Sequence, residues 1–229
     1  AIRPKAIAAH VNLGVALVAV KRVEEAVAQW ELALRIDPNA AMVHLNLAVA
    51  AVNRGDFDVA ISHARETLRV EPEKGQAYAI MGQSLMQQHR YAEAQVALDR
   101  GVEVLDAKDP IRAMAVFQLS RVNEKLALER RLDDIDRGEA QPRDAVERVA
   151  LAELLLARKR YSDAVTYYSA AFAEEPNLAK APAAPHRYNA ACSAALAAMQ
   201  PGLADARQRH REQALAWLRE ELDGLLKLK

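Results

Sequence analysis

Leu32-Ala33-Leu34-Arg35-Ile36-Asp37-Pro38 returns 34 residues later as Glu66-Thr67-Leu68-Arg69-Val70-Glu71-Pro72. The proline closing each copy belongs to a series, because Pro4, Pro38 and Pro72 are each 34 apart. Other columns step at the same interval: Ala26, Ala60 and Ala94, then Val23, Phe57 and Tyr91. Leu13, Leu47 and Met81 form a further column, each followed by a small residue, Gly14, Ala48 or Gly82. A period of this length, apolar at helical spacing and stopped by proline, describes a helix–turn–helix unit. Such a unit cannot bury its apolar face alone and does so by stacking on its neighbours.

The rest of the 229-residue chain fits an all-helical protein. Hydrophobic residues make up 52%, aromatics only 5%, and alanine alone about a fifth. Alanine, leucine, glutamate and arginine are strong helix formers, and glycine is scarce. The 31 basic and 31 acidic side chains cancel, so composition gives no electrostatic footprint for nucleic acid or an anionic membrane. One cysteine excludes an intrachain disulfide framework. No apolar run approaches the ~20 residues a membrane span needs, and no signal-peptide pattern opens the sequence. The expected setting is cytoplasmic.

These columns resemble the tetratricopeptide repeat (TPR) family. The resemblance implies an all-α, TPR-type α-solenoid, a right-handed superhelix of antiparallel helix pairs A and B. Counted from Ile7, Ala41 and Gly75, the family's small and large positions are filled over residues 7–108, except that Asp106 replaces the third proline. Pro4 then reads as the tail of a preceding repeat (residues 1–6), as in a fragment of a longer array. Residues 109–144 are expected to form a degenerate unit: a long helix from Ile111 to about Ile135, along which opposite charges fall four apart, Lys125 with Glu129 and Arg130 with Asp134, as on one helix face. Residues 145–180 restore the pattern through Leu151, Ala152, Leu155, Tyr161, Ala164, Tyr168, Ala171 and Pro176. Residues 181–229 read as a degenerate last unit, with a proline-rich break at 181–185, an insertion around Pro201-Gly202 and a capping helix running to Lys229.

The second half carries a further resemblance. Arg137-Gly138-Glu139-Ala140-Gln141-Pro142, Arg158-Lys159-Arg160-Tyr161, His186-Arg187-Tyr188-Asn189-Ala190-Ala191-Cys192 and Gln213-Ala214-Leu215-Ala216-Trp217-Leu218 occur in that order. Together they look like the C-terminal TPR region of large bacterial serine/threonine kinases of the planctomycete type. That similarity implies a kinase-associated regulatory or scaffold segment with catalysis elsewhere. No kinase motif lies in this chain, and His186-Arg187-Tyr188 is not the catalytic-loop His-Arg-Asp.

Candidate chemistry is sparse. His10 and His44 share position 4 of their repeats with Tyr78, an aromatic packing slot rather than a metal pair, since a metal site wants three or more convergent ligands. His63, His89, His186 and His210 read as surface or loop residues. Cys192, among small helix residues, reads as a structural thiol. The carboxylate pairs Glu24-Glu25, Asp133-Asp134 and Glu220-Glu221 point about 100° apart on a helix and read as solvated faces. No glycine-rich phosphate loop is present. The expectation is a non-enzyme with no catalytic residue, metal or cofactor.

Binding is expected on the helix-A face. Family groove positions are 2, 5, 6, 9, 12 and 13, which here point to Asn12, Val15, Leu45, Asn46, Val49, Asn53 and Gln83, with Tyr188 and Asn189 in the last unit. Asn12, Asn46 and Asn189 share position 6, where an amide can both donate to and accept from a peptide backbone, or simply fill the family's usual residue. TPRs that hold acidic chaperone tails use cations at position 5 of the first repeat and positions 2 and 6 of the third. Val11, Gln76 and Ile80 stand there instead, so a carboxylate clamp is not expected. The groove is apolar, and two readings of it stay open. It receives a protein or peptide partner, or it is a surface covered by homo-oligomerisation or by further repeats. Neither nucleic acid nor membrane is an expected partner.

If the register is right, Ala60 sits where helices A and B touch. Ala60→Leu is expected to cost ~1–3 kcal/mol by overpacking, read as a clear drop in melting temperature. A neutral result contradicts the register.

Overall fold

The computed structural model describes residues 4–180, 185–201 and 204–226. Among them are eleven α-helices and no strand. In order they are α1 (Pro4–Ala19), α2 (Val23–Ile36), α3 (Ala41–Arg54), α4 (Phe57–Val70), α5 (Gly75–Gln87) and α6 (Tyr91–Val104). Then follow α7 (Pro110–Asp136), α8 (Ala145–Ala157), α9 (Tyr161–Glu174), a 3-10 turn at Leu178–Lys180, α10 (His186–Met199) and α11 (Ala204–Leu226). The proline-rich break at 181–184, Gly202 of the insertion and the terminal residues 227–229 lie outside the described residues. Two compact units result, Ala1–Leu126 and Ala127–Lys229. The first holds the hairpins α1/α2, α3/α4 and α5/α6 with the first part of α7; the second holds the rest of α7 with α8/α9 and α10/α11. Each is a stack of helix pairs.

The hairpin turns repeat in backbone detail. Lys21, Gly55 and His89, spaced by 34, all take the left-handed conformation, with φ of 62°, 81° and 58°, and Lys159 does so in the second unit at 61°. Each following amide then reaches back over the helix end: Arg22 N–H to the Leu17 carbonyl, Asp56 to Ala51, Arg90 to Leu85 and Arg160 to Leu155, all at 2.9 Å. That bond ties the turn back to a carbonyl in the last turn of helix A. Left-handed backbone costs a non-glycine residue ~1–2 kcal/mol, so three side-chain-bearing residues are held there by the turn they close.

Close contact between helices A and B explains the small columns. Ala26, Ala60, Ala94 and Ala164 are all 0% exposed. The column beginning at Gly14 is matched against another on helix B. Glycine stands opposite a large residue, Gly14 against Trp30 and Gly82 against Leu98, where an added Cβ would collide with the facing side chain. Where helix B carries Ala64 instead, helix A affords Ala48, and both are fully buried. The pairs trade volume across one contact, as close-packed interiors require. Stacking continues between hairpins: Val43, Leu47 and Ala50 of α3 join Trp30 and Ala33 of α2 in one cluster, with Val23 and Val27 against it.

Pro4 opens α1, in the first helical turn that suits proline, whereas Pro38 and Pro72 lie in the connections before α3 and α5. Lys125, Glu129, Arg130 and Asp134 lie on α7, where Glu129 pairs with Arg158 at 3.0 Å and Asp134 with Arg137 at 2.5 Å.

Gly82→Ala tests the volume trade. In an exposed helix, alanine for glycine gains up to ~1 kcal/mol. Here the new Cβ would lie 2.5 Å from Leu98 Cγ, so the change is expected to destabilise by ~1–3 kcal/mol. The loss should shrink in a Leu98→Ala background, a coupling that thermal denaturation of the four variants measures.

Candidate partner-binding groove

A groove of ≈ 580 Å³ lies in the first unit over α3 and α5. From α3 it is lined by Met42, Leu45, Asn46, Val49, Val52 and Asn53, the whole set of groove positions of that repeat. Gln76, Ala79, Ile80 and Gln83 of α5 line the next wall, and Ile111 and Met114 of α7 close the far side. Its size falls within the ~300–1,000 Å³ of ordinary ligand clefts. A smaller depression of ≈ 220 Å³ lies between the α1/α2 hairpin and α3, lined by Val15, Val18, Val23 and Trp30 on one side. Asn46, Val49 and Asn53 line both depressions, so they form a ridge between them.

The ridge follows from helix geometry. Residues 46, 49 and 53 are three and four apart and project from one face of α3. Val49 remains 44% exposed, while the residues on the opposite face of α3 are buried. Amides from Asn46, Asn53, Gln76 and Gln83 are set along a floor of aliphatic side chains, and no charged side chain lines the groove. Gln76 and Ile80, where a carboxylate clamp would need cations, both face the cleft. The arrangement offers donors and acceptors to a backbone and apolar contact to its side chains.

The remaining candidates are placed as follows. Leu45 is only 6% exposed and packs against Ala64 and Ala77, so it serves as groove floor and interhelical core rather than as an open wall. Asn12 is exposed on α1 and lines neither depression. Val15 lines the smaller one. Tyr188 and Asn189 belong to the second unit. Tyr188 is exposed, with the half-buried Cys192 thiol one turn along α10 raising its phenol above the ordinary value. Asn189 lies on α10 near Tyr168 of α9, whose hydroxyl burial pushes well above its usual range, Asn189 opposing the rise.

Ile111 and Met114 are groove residues that the sequence reading passed over. A signal existed: continuing the count by 34 from Gly75 puts position 1 at Asp109 and Met114 at position 6, the Asn46 column. The missing proline at Asp106 and the uninterrupted α7 hid it.

Three of the four histidines read as surface or loop residues are engaged, among them His89, whose Nδ1 lies 2.8 Å from the Tyr91 hydroxyl. His186 Nδ1 lies 3.2 Å from Glu153. His63 Nδ1 lies 3.0 Å from Nδ1 of the buried His44, whose Nε2 lies 2.9 Å from the Pro38 carbonyl. A carbonyl only accepts, so His44 Nε2 carries a proton and its Nδ1 accepts from His63 Nδ1–H. His10 repeats the geometry one unit earlier, Nδ1 to Gln29 Oε1 at 2.8 Å, so position 4 is a polar pin between helices A and B. Among the described residues no three His, Cys, Asp or Glu side chains converge as metal ligands, and no helix is long and apolar enough to cross a membrane.

Comparison with known proteins agrees with this geometry. Residues 45–110 match the family model of the tetratricopeptide repeat, a stretch that includes α4, α5 and α6. Among solved structures, the chain is similar to the P58(IPK) TPR domain, at 16% identity and a TM-score of 0.55, over 96% of this chain and 66% of that one. It is also similar to the first TPR of Spaghetti (RPAP3) bound to an HSP90 peptide, at 18% identity and a TM-score of 0.51. That likeness covers 55% of this chain and 97% of the other. No curated protein matches the sequence. At these identities the likeness is one of fold: all-helical, of TPR type.

The histidine pin gives a pH prediction. Burial, and next the charge of His44, hold His63 below its ordinary value, against the opposing pull of Glu31 and Glu66. Unfolded His63 titrates near 6.5, so the unfolded chain takes up the proton first. The stability the neutral pair provides is therefore complete above about pH 6.5 and lost as pH falls through the lower folded value. Melting temperatures from pH 7.5 to 5 should fall more steeply for the wild type than for His63→Gln. Parallel curves contradict the assignment.

Proposed function

We propose that the chain is a non-catalytic protein-interaction module that holds an extended peptide or helix of a partner in the groove over α3 and α5. One observation carries the reading: all six helix-A groove positions of the second repeat line one uncharged cleft, with amides spaced along an apolar floor. Side-chain amides pair with a ligand backbone whatever its sequence, so affinity comes from the amides and preference from the aliphatic wall. The RPAP3 repeat domain, similar in fold, is named as bound to a peptide, which supports the same class of function here. The ligand differs in chemistry from an acidic tail, because no cation lines this cleft.

The stretches of the second unit that look like bacterial serine/threonine kinase C-terminal regions extend the proposal to a cytoplasmic, kinase-linked regulatory segment. A gene carrying no kinase domain in the same reading frame contradicts that extension.

The test is capture of a partner from lysate of the source cells, followed by titration of the recovered protein. Asn46→Ala with Asn53→Ala should leave the protein folded, since Asn53 is exposed and Asn46 is half-buried, and surface substitutions move stability by under ~0.5 kcal/mol. Binding should weaken by about 1 kcal/mol or more for each lost hydrogen bond. Asn12→Ala, outside the groove, should leave affinity unchanged. Equal affinity of the Asn46/Asn53 variant and the wild type contradicts the proposal. Self-association that buries the groove would appear as a concentration-dependent mass in light scattering, abolished by Val49→Glu.

A further inference from the structure

The second unit carries a separate surface, independent of the groove over α3. Between α10 and α11 lies a cleft of ≈ 550 Å³ with a floor of alanines, among them Ala198. Its apolar side chains are unusually open: Met199 is 82% exposed, Leu215 52% and Leu218 41%. Arg207 and Arg211 complete the lining, one helical turn apart on α11 and both exposed. Among the described residues neither arginine is in an ion pair or hydrogen bond, as is also true of Arg209 and Arg219 on the same helix, but only Arg207 and Arg211 line the cleft.

The repeat columns say what shape this surface fits. Ala214 is buried as Ala26 is, so counting from each alanine puts Arg211, Leu215 and Leu218 where Val23, Val27 and Trp30 stand in the first hairpin. There, those three residues receive helix α3 through Val43, Leu47 and Ala50. The α10/α11 cleft is thus the same helix-receiving face, altered at one column: a cationic Arg211 replaces the apolar Val23. With Arg207 it places two free positive charges beside an apolar seat.

We infer that this cleft docks an amphipathic helix of a partner protein whose apolar stripe is flanked by carboxylates. Leucine or methionine side chains of that helix would fill the space over Ala198 between Met199, Leu215 and Leu218. Acidic residues one turn apart would meet Arg207 and Arg211. Nucleic acid would use the arginines and leave the apolar seat empty.

The probe is a displayed library of helices of about 16 residues with randomised faces, long enough at 1.5 Å per residue to cross the cleft. It is screened against the whole protein. Enriched helices are expected to carry leucine or methionine at i, i+3 or i+4 and i+7, with glutamate or aspartate beside them. A synthetic copy should bind Arg207→Glu/Arg211→Glu at least about tenfold more weakly than wild type, and a lysine version of it should recover binding to that variant. Leu215→Glu should abolish binding, and Asn46→Ala/Asn53→Ala should not change it, which separates this cleft from the groove over α3. Circular dichroism melts of the Arg207, Arg211 and Leu215 variants, all at exposed sites, should match the wild type. The inference is overturned by enriched helices without acidic bias or by binding that survives the double charge reversal. A concentration-dependent dimer lost in Leu215→Glu, or arginine-dependent binding of polyuridine with no helix enriched, overturns it equally.

Discussion

Everything in each unit depends on how closely helix A approaches helix B. The contact is made by residues with little or no side chain, and its spacing is set by volume shared between the two helices. Gly14 makes room for Trp30 and Gly82 for Leu98, while Ala48 and Ala64 divide the space evenly. This contact fixes the crossing, the crossing fixes which faces of helix A remain outside, and those faces form the groove. A mutation far from the groove can therefore reshape it. The left-handed turn residues serve the same end, since Lys21, Gly55 and His89 bring helix B back at once against its partner.

The chemistry left exposed follows from what that contact consumes. Helix A of the second repeat spends Val43, Leu47 and Ala50 on stacking. It spends His44 on a hydrogen-bonded pin to His63 and Pro38. What remains is a strip of amides and aliphatic side chains, Asn46, Val49 and Asn53, with neighbours on both sides. Such a strip has no nucleophile and no poised acid or base. It has backbone-pairing groups over an apolar floor, suited to holding another chain.

Much of this was legible in the sequence because the repeat prints each contact three times. The alanine column, the groove positions of α3 and the stop before Pro72 could all be counted in steps of 34. Three things escaped for physical reasons. Leu45 occupies a groove position but lies low enough on α3 to be shared with the core against Ala64 and Ala77, a matter of helix rotation that periodicity does not resolve. Met114 continues the Asn46 column, yet α7 has no proline or turn to mark its register. His63 pairs with His44 from 19 residues away across a helix–helix contact, and a single chain offers no signal that two imidazoles meet.

If α3 presents the binding face of the first unit, a photo-crosslinker placed on it captures the partner whatever its identity. Val49 and Val59 are equally exposed, at 44% each, but Val49 stands on the ridge of α3 and Val59 on α4 outside both depressions. A benzophenone amino acid placed at either position in the full chain, illuminated in the source cells, should give a discrete crosslinked partner from position 49 and none from position 59. Crosslinking of equal yield and identity from both positions, or from 59 alone, would contradict it.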